Sequence, residues 1–250
     1  MLPNAHYMDN QAEIQWSMRA VLMDWIVQVH HRFNLLPETL FLCVNYIDRF
    51  LSCKVVSLGK LQLVGATAIF IAAKYEEIDC PSVQEIVYMV DGGYTVDEIL
   101  KAERFMLSML QFELGWPGPM SFLRRISKAD DYDLETRTLA KYFLEITIMD
   151  ERFVGSPPSF VAAGAHCLAR MMLKKGAWVC VCFLCNGRKL IVSLSRLLTS
   201  TTPTTPTHNS SVLSYSWSSA ARMLESITAL SMTSTQTSVT SVLHISQRQK

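Results

Sequence analysis

No apolar stretch in this 250-residue sequence reaches the roughly 18 residues that a membrane-spanning helix requires. The first ten residues, Met1 to Asn10, lack the basic-then-apolar order of a secretory signal. Nothing in the sequence directs the chain to a membrane. Acidic residues are almost absent from the last part of the chain, which divides it in two. Residues 1–178 hold 21 acidic and 17 basic side chains, a net charge of −4, whereas residues 179–250 hold Glu225 and six basic side chains, a net +5. Neither part has the basic stripe that binding to a phosphate backbone demands, so nucleic acid is not an expected partner. The seven cysteines are odd in number and scattered, with Cys43, Cys53 and Cys167 inside apolar helical patterns, which points to a reducing compartment.

Enzyme chemistry is equally short of candidates. The six histidines lack nucleophile or metal-ligand spacing, and Gly92-Gly93 reads as a turn rather than a phosphate loop. The acid pairs Glu76-Glu77 and Asp130-Asp131 are expected on solvated helix ends. Cys180-x-Cys182-x-x-Cys185 has metal-like spacing but no second ligand cluster, so no metal or cofactor is expected.

What is present is helical periodicity. From Ser17 to Leu36 apolar residues recur three and four apart at Met18, Val21, Leu22, Trp25, Ile26 and Val29, predicting an amphipathic helix broken at Pro37. Glu38 to Leu51 repeats the pattern. Between Leu61 and Ala73 apolar residues run all the way round, and Gly65, Ala66, Ala68, Ala72 and Ala73 would let neighbours approach closely, as at the centre of a bundle. Ser82 with Glu85, and Thr95 with Glu98, have capping-box spacing and predict two further helix starts. The cluster Gly115, Pro117, Gly118 and Pro119 around Trp116 reads as a sharp turn and a domain boundary. Three more helices are expected after it: Met120 to Ser127, Leu134 to Met149, and one from Pro158 to Lys174 capped by Gly176. The expected fold is all-α, with two consecutive helical bundles, the first of five helices and the second incomplete. The expected division is an N-terminal segment 1–16, a first domain 17–115, a partial second domain 119–178 and a tail 179–250.

Four ordered motifs resemble the cyclin box: Met18-Arg19-Ala20-Val21-Leu22-Met23-Asp24-Trp25, Leu36-Pro37-Glu38-Thr39-Leu40, Lys60-Leu61-Gln62-Leu63-Val64-Gly65 and Ala73-Lys74-Tyr75-Glu76-Glu77. With Tyr7-Met8-Asp9-Asn10-Gln11, Glu13-Ile14-Gln15-Trp16 and Ser159-Phe160-Val161-Ala162, residues 1–178 are similar to B-type mitotic cyclins of fungi. The resemblance implies a cyclin fold and a regulatory subunit, itself no enzyme. Such a subunit binds and activates a cyclin-dependent protein kinase at the G2/M transition and is nuclear and cytoplasmic. Carried over by position, Lys74 and Glu103 match the polar pair that holds the kinase's activating helix. Met18, Val21, Leu22, Trp25, Gln28 and Gln62 match a docking groove for Arg-x-Leu substrates or inhibitors, with Met18, Leu22 and Trp25 expected to be partly accessible. Gln28 stands where an acid is common and Leu58 where some relatives have a base. Plainer readings exist: Lys74 as a cation at a helix C-terminus, Glu103 as a solvated helix residue, and Met18, Leu22 and Trp25 as core. A cyclin-fold adaptor of the transcription-factor type, or an inert truncated product, are the alternative functions.

Residues 179–250 depart from the family pattern. Their Ser/Thr-rich composition predicts a disordered tail. Read one base out of register, Ser226 to Leu243 can encode HHRAIYDKYTDKRYKRA, which resembles the C-terminal pattern of B-type cyclins. Val179-Cys180 can carry a GTATGT splice donor and Leu194-Ser195 a CAG acceptor. The tail from 179 is therefore expected to be a retained intron followed by a frameshift. No destruction signal precedes the cyclin box, so an upstream segment is expected to be missing.

Overall fold

The structure, a computed structural model, describes residues 1–175. The expectations for the tail, Gly176 and the 180/182/185 cysteines lie outside the described residues. Met1–His166 forms one compact unit, and a second begins at Cys167.

Eight α-helices and no strand occur among the described residues: α1 (Trp16–Phe33), α2 (Pro37–Cys53), α3 (Leu61–Glu76), α4 (Val83–Met89), α5 (Val96–Met109), α6 (Pro119–Ala129), α7 (Leu134–Met149) and α8 (Pro158–Met172). α3 is the axis of the first five. Every residue from Val64 to Ala73 is buried, as an all-round apolar helix must be. A Cβ on Gly65 would stand 2.8 Å from Leu22 Cδ1 and 3.2 Å from Trp25 Cζ3, so the missing side chain sets the approach of α1. Phe70 and Ala66 join Ile86, Val90, Tyr94 and Ile99 in a core cluster that draws α4 and α5 in.

Both predicted capping boxes form. Ser82 Oγ accepts the Glu85 N–H at 3.3 Å and Glu85 accepts the Ser82 N–H at 2.7 Å; Thr95 and Glu98 do the same at 3.3 and 2.9 Å. The Gly92-Gly93 turn is also present, with Asp91 and Gly92 at φ 52° and 68°.

Several boundaries differ from the sequence reading. α1 ends before Pro37, because Asn34 turns left-handed at φ 51° and lets the Leu35 N–H reach the His30 carbonyl at 3.2 Å. Pro37 opens α2 instead, where its fixed φ and missing N–H cost nothing. Glu77 is not merely a solvated helix end: its Oε1 accepts the Leu36 N–H at 2.7 Å and the Thr39 hydroxyl, closing the N-terminus of α2. The turn after α5 is made by Gln111 and Phe112, at φ 56° and 57°, rather than by the following glycines. Gly115 serves close approach instead, since a Cβ there would lie 3.0 Å from Tyr75 Oη. Asp130 is likewise engaged, 3.0 Å from His166 Nε2. α8 stops at Met172, with Lys174 left-handed at φ 54° and the Lys175 N–H bonding the Arg170 carbonyl at 3.1 Å.

One buried ion pair ties the first compact unit together. Arg19 donates to both oxygens of Asp48, from Nε at 2.8 Å and Nη2 at 2.7 Å, and its Nη1 reaches the Ile148 carbonyl of α7 at 2.9 Å. Tyr7, fully buried in a 3-10 turn over Tyr7–Asn10, donates its hydroxyl to Asp48 at 2.8 Å. Both charged side chains are 3% exposed. Cys43 is buried, Cys53 and Cys80 are exposed, and all three are free thiols.

Candidate functional site

Lys74 lies in the last turn of α3 and Glu103 in the middle of α5, 29 positions on. The packing of these two helices brings the side chains together: Lys74 Nζ donates to Glu103 Oε1 at 2.7 Å. Lys74 Nζ also stands 4.0 Å above the Phe70 ring, one helical turn back, so a cation–π contact fixes it from below. Glu103 is largely covered, at 12% exposure, while Lys74 is 41% exposed. The pair therefore presents one charged group outward and one held from behind.

Three exposed apolar residues were not singled out by sequence reasoning, Tyr75 beside Lys74 in the chain, Ile78 just past α3 and Phe112 just past α5. Tyr75 is 51% exposed, Phe112 69% and Ile78 fully so. Tyr75 Oη approaches Gly115, and Tyr46 Oη donates to the Leu114 carbonyl at 3.0 Å while Arg49 donates to the Glu113 carbonyl at 2.8 Å. The segment after α5 is thus anchored on α2, with Phe112 left facing solvent. Phe112 carried no periodic signal because it sits in a left-handed turn; Tyr75 could have been found by its place beside Lys74. The Glu76 carboxyl is pushed above its usual range by partial burial and by the charges of Glu38 and Glu77.

The second set of residues lies along α1 and the start of α3. Met18 and Trp25 are half-buried, and Val21, Gln28 and Gln62 are exposed. Leu22 differs from the expectation: it is only 5% exposed, because it fills the space over Gly65 and forms a floor. Trp25 packs by one edge on the core cluster around Phe70 and Ala66. Gln28 Nε2 donates to Asp24 Oδ2 at 2.7 Å, so this rim carries an acid one turn before the position where the sequence lacks one. Leu58, 49% exposed, is held by its N–H on Glu13 Oε2 at 3.1 Å. The result is an apolar strip with carboxylates near both ends. Among the described residues no group of three or more His, Cys, Asp or Glu side chains is placed to hold a metal, and no helix is long and apolar enough to cross a membrane.

Residues 1–115 match the family model "Cyclin, N-terminal domain" and residues 117–183 match "Cyclin, C-terminal domain". Among the similar relatives, G2/mitotic-specific cyclin-4 of Candida albicans is 70% identical over 176 residues, 70% of this chain and 36% of that one. G2/mitotic-specific cyclin-3 of Saccharomyces cerevisiae is 60% identical over 176 residues, 70% of this chain and 41% of that one. The chain thus spans well under half the length of either relative. A viral cyclin from herpesvirus saimiri has a similar solved fold, with a TM-score of 0.65 at 19% identity over 76% of this chain and 85% of that one.

Proposed function

The chain belongs to the cyclin family, and from that premise we propose that it is the regulatory subunit of a mitotic cyclin-dependent protein kinase. It is no enzyme itself: it activates the kinase and helps recruit substrates at the G2/M transition, in the nucleus and cytoplasm. The division at residues 115–119, supported by the two family matches, is part of the same proposal, as are the retained-intron origin of residues 179 to about 195 and the out-of-frame origin of those after them.

The observation that carries the reading is the Lys74–Glu103 pair, joined at 2.7 Å with the exposed Tyr75 next to Lys74 in the chain. A docked kinase helix offers main-chain carbonyls to Lys74 and main-chain N–H groups to Glu103, while its apolar side chains cover Tyr75. Each charge-assisted bond contributes about 1.5–3 kcal/mol. Since α3 is buried along most of its length, the pair is preorganised, and little ordering cost offsets those bonds. The strip of Met18, Val21, Leu22, Trp25, Gln28 and Gln62 receives the Leu of an Arg-x-Leu segment, and the Asp24–Gln28 pair receives its Arg.

The test is histone phosphorylation by an otherwise inactive cyclin-dependent kinase to which the chain is added. The wild-type chain is expected to activate it, and Lys74→Ala with Glu103→Ala to need at least about tenfold more protein for the same activity. Trp25→Ala is expected to spare histone phosphorylation and lower that of an Arg-x-Leu substrate. Undiminished activation by the double variant would remove the pair from the kinase interface.

A further inference from the structure

On the side of α5 turned away from Glu103, a cleft of about 450 Å³ opens between α5, α3 and the segment 54–57 that follows α2. At about 100° per helical residue, Phe105 points roughly 200° away from Glu103, so this is not the surface assigned above. The floor is apolar, formed by Phe50, Leu63, Val64 and Met106. Phe105 stands at its edge, 47% exposed, with its ring edge-on to Phe50 at 5.9 Å, and Val55 at the lip is 57% exposed.

The rim has one dominant sign. Lys54, Lys60 and Lys101 all line the cleft, against Glu98 as its single acid. Glu98 is already occupied: it accepts from the Thr95 N–H and hydroxyl, and its other oxygen lies 3.8 Å from Lys60 Nζ. Lys60 is further turned over the Tyr94 ring at 5.1 Å. Lys54 and Lys101 are exposed and have no carboxylate within ion-pair distance among the described residues.

We propose that this cleft docks a short segment of a partner protein in which bulky apolar side chains are flanked by acidic residues. The apolar side chains cover Phe50, Leu63 and Phe105, and the flanking carboxylates meet Lys54 and Lys101. The charge pattern selects the occupant: an Arg-bearing segment is repelled by this rim, whereas the α1 strip with Asp24 and Glu13 attracts one. The two surfaces therefore sort partners by the charge beside their apolar anchor. The proposal does not depend on the kinase reading.

The test is fluorescence anisotropy of a fluorescein-labelled Glu-Asp-Leu-Leu-Phe-Glu-Asp peptide titrated with the full chain. Saturable binding is expected, weakened roughly tenfold or more by Lys54→Glu with Lys101→Glu. That charge-reversed variant is expected to prefer a Lys-Lys-Leu-Leu-Phe-Lys-Lys peptide, which shows that it has kept its fold and its apolar floor. Trp25→Ala is expected to bind the acidic peptide as wild type does. Absence of saturable binding to the wild-type chain, equal affinity of the charge-reversed variant for the acidic peptide, or loss of binding in Trp25→Ala would overturn the proposal.

Discussion

Replacing Asp48 by alanine removes the carboxylate that is hydrogen-bonded to Arg19. In the folded protein Arg19 is 3% exposed and gives two hydrogen bonds to Asp48, at 2.8 and 2.7 Å. After the change its guanidinium keeps the Ile148 carbonyl at 2.9 Å and, as opposite charge, the Asp150 carboxylate that is already paired with Arg152, while Tyr7 loses the acceptor of its hydroxyl. Breaking a buried pair from one side costs about 3–5 kcal/mol, because the surviving charge stays out of water. Against a total of about 5–15 kcal/mol that is a large fraction, and with a slope near 2 kcal/mol/M it lowers the urea midpoint by about 2 M. Arg19→Met with Asp48→Leu removes both charges and should cost less, about 1–3 kcal/mol, left by the orphaned Tyr7 hydroxyl. Lys60→Ala, which cuts an exposed pair at 3.8 Å, should stay within about 1 kcal/mol. Urea unfolding followed by circular dichroism measures all three. A cost below about 1 kcal/mol for Asp48→Ala, or a double replacement costing more than the single one, would refute the reasoning.

Gly65→Ala places a methyl 2.8 Å from Leu22 Cδ1 and 3.2 Å from Trp25; overpacking of about 1–3 kcal/mol is partly offset by a helix-propensity gain of about 1 kcal/mol. A net loss under about 2 kcal/mol with a shifted Trp25 fluorescence is expected, and an unchanged spectrum would show that α1 does not rest on Gly65. His30 is buried with its Nε2 on the Leu36 carbonyl at 2.9 Å, and burial lowers its pKa from the usual value despite Glu77 nearby. Below about pH 6.5 the unfolded chain binds a proton that the folded one resists, so stability falls as pH drops through that range toward the lowered folded value. The urea midpoint should lose less between pH 7.5 and 5.5 in His30→Gln than in wild type, and equal losses would sink the assignment. Ser82→Ala should cost about 1 kcal/mol through the lost capping box, measured by the same unfolding curve.

The helices were legible wherever the signal is local. The boxes at Ser82 and Thr95 close over three residues, so their geometry is written in the spacing, and the all-round apolar run of α3 could only be a central helix. Boundaries made by left-handed residues other than glycine were not legible: Asn34, Gln111 and Phe112 bend the chain where Pro37 and Gly115 had the conventional signal. The Arg19–Asp48–Tyr7 network was silent because its members are 29 and 41 positions apart and each lies in an otherwise ordinary motif. Which face of α1 opens was half legible. The stripe placed Leu22 and Val21 together, but contact with Gly65 rotates Leu22 inward and leaves Val21 71% exposed. Lys74 and Glu103 came from family resemblance, not spacing, since nothing local links α3 to α5. The exposure of Phe112 and the bond between Asp24 and Gln28 emerge only from the structure, whereas Tyr75 stands beside Lys74 in the sequence.

The most direct measurement is the affinity of a purified mitotic cyclin-dependent kinase for the full chain, compared by calorimetry between wild type, the Lys74→Ala, Glu103→Ala double variant and Trp25→Ala. Loss of the charge-assisted bonds should weaken binding by about tenfold or more in the double variant, and Trp25→Ala should bind within about twofold of wild type, since the role proposed for its strip is substrate docking rather than kinase binding. Wild-type affinity in the double variant, or a loss confined to Trp25→Ala, would contradict the assignment of the Lys74–Glu103 surface to the kinase.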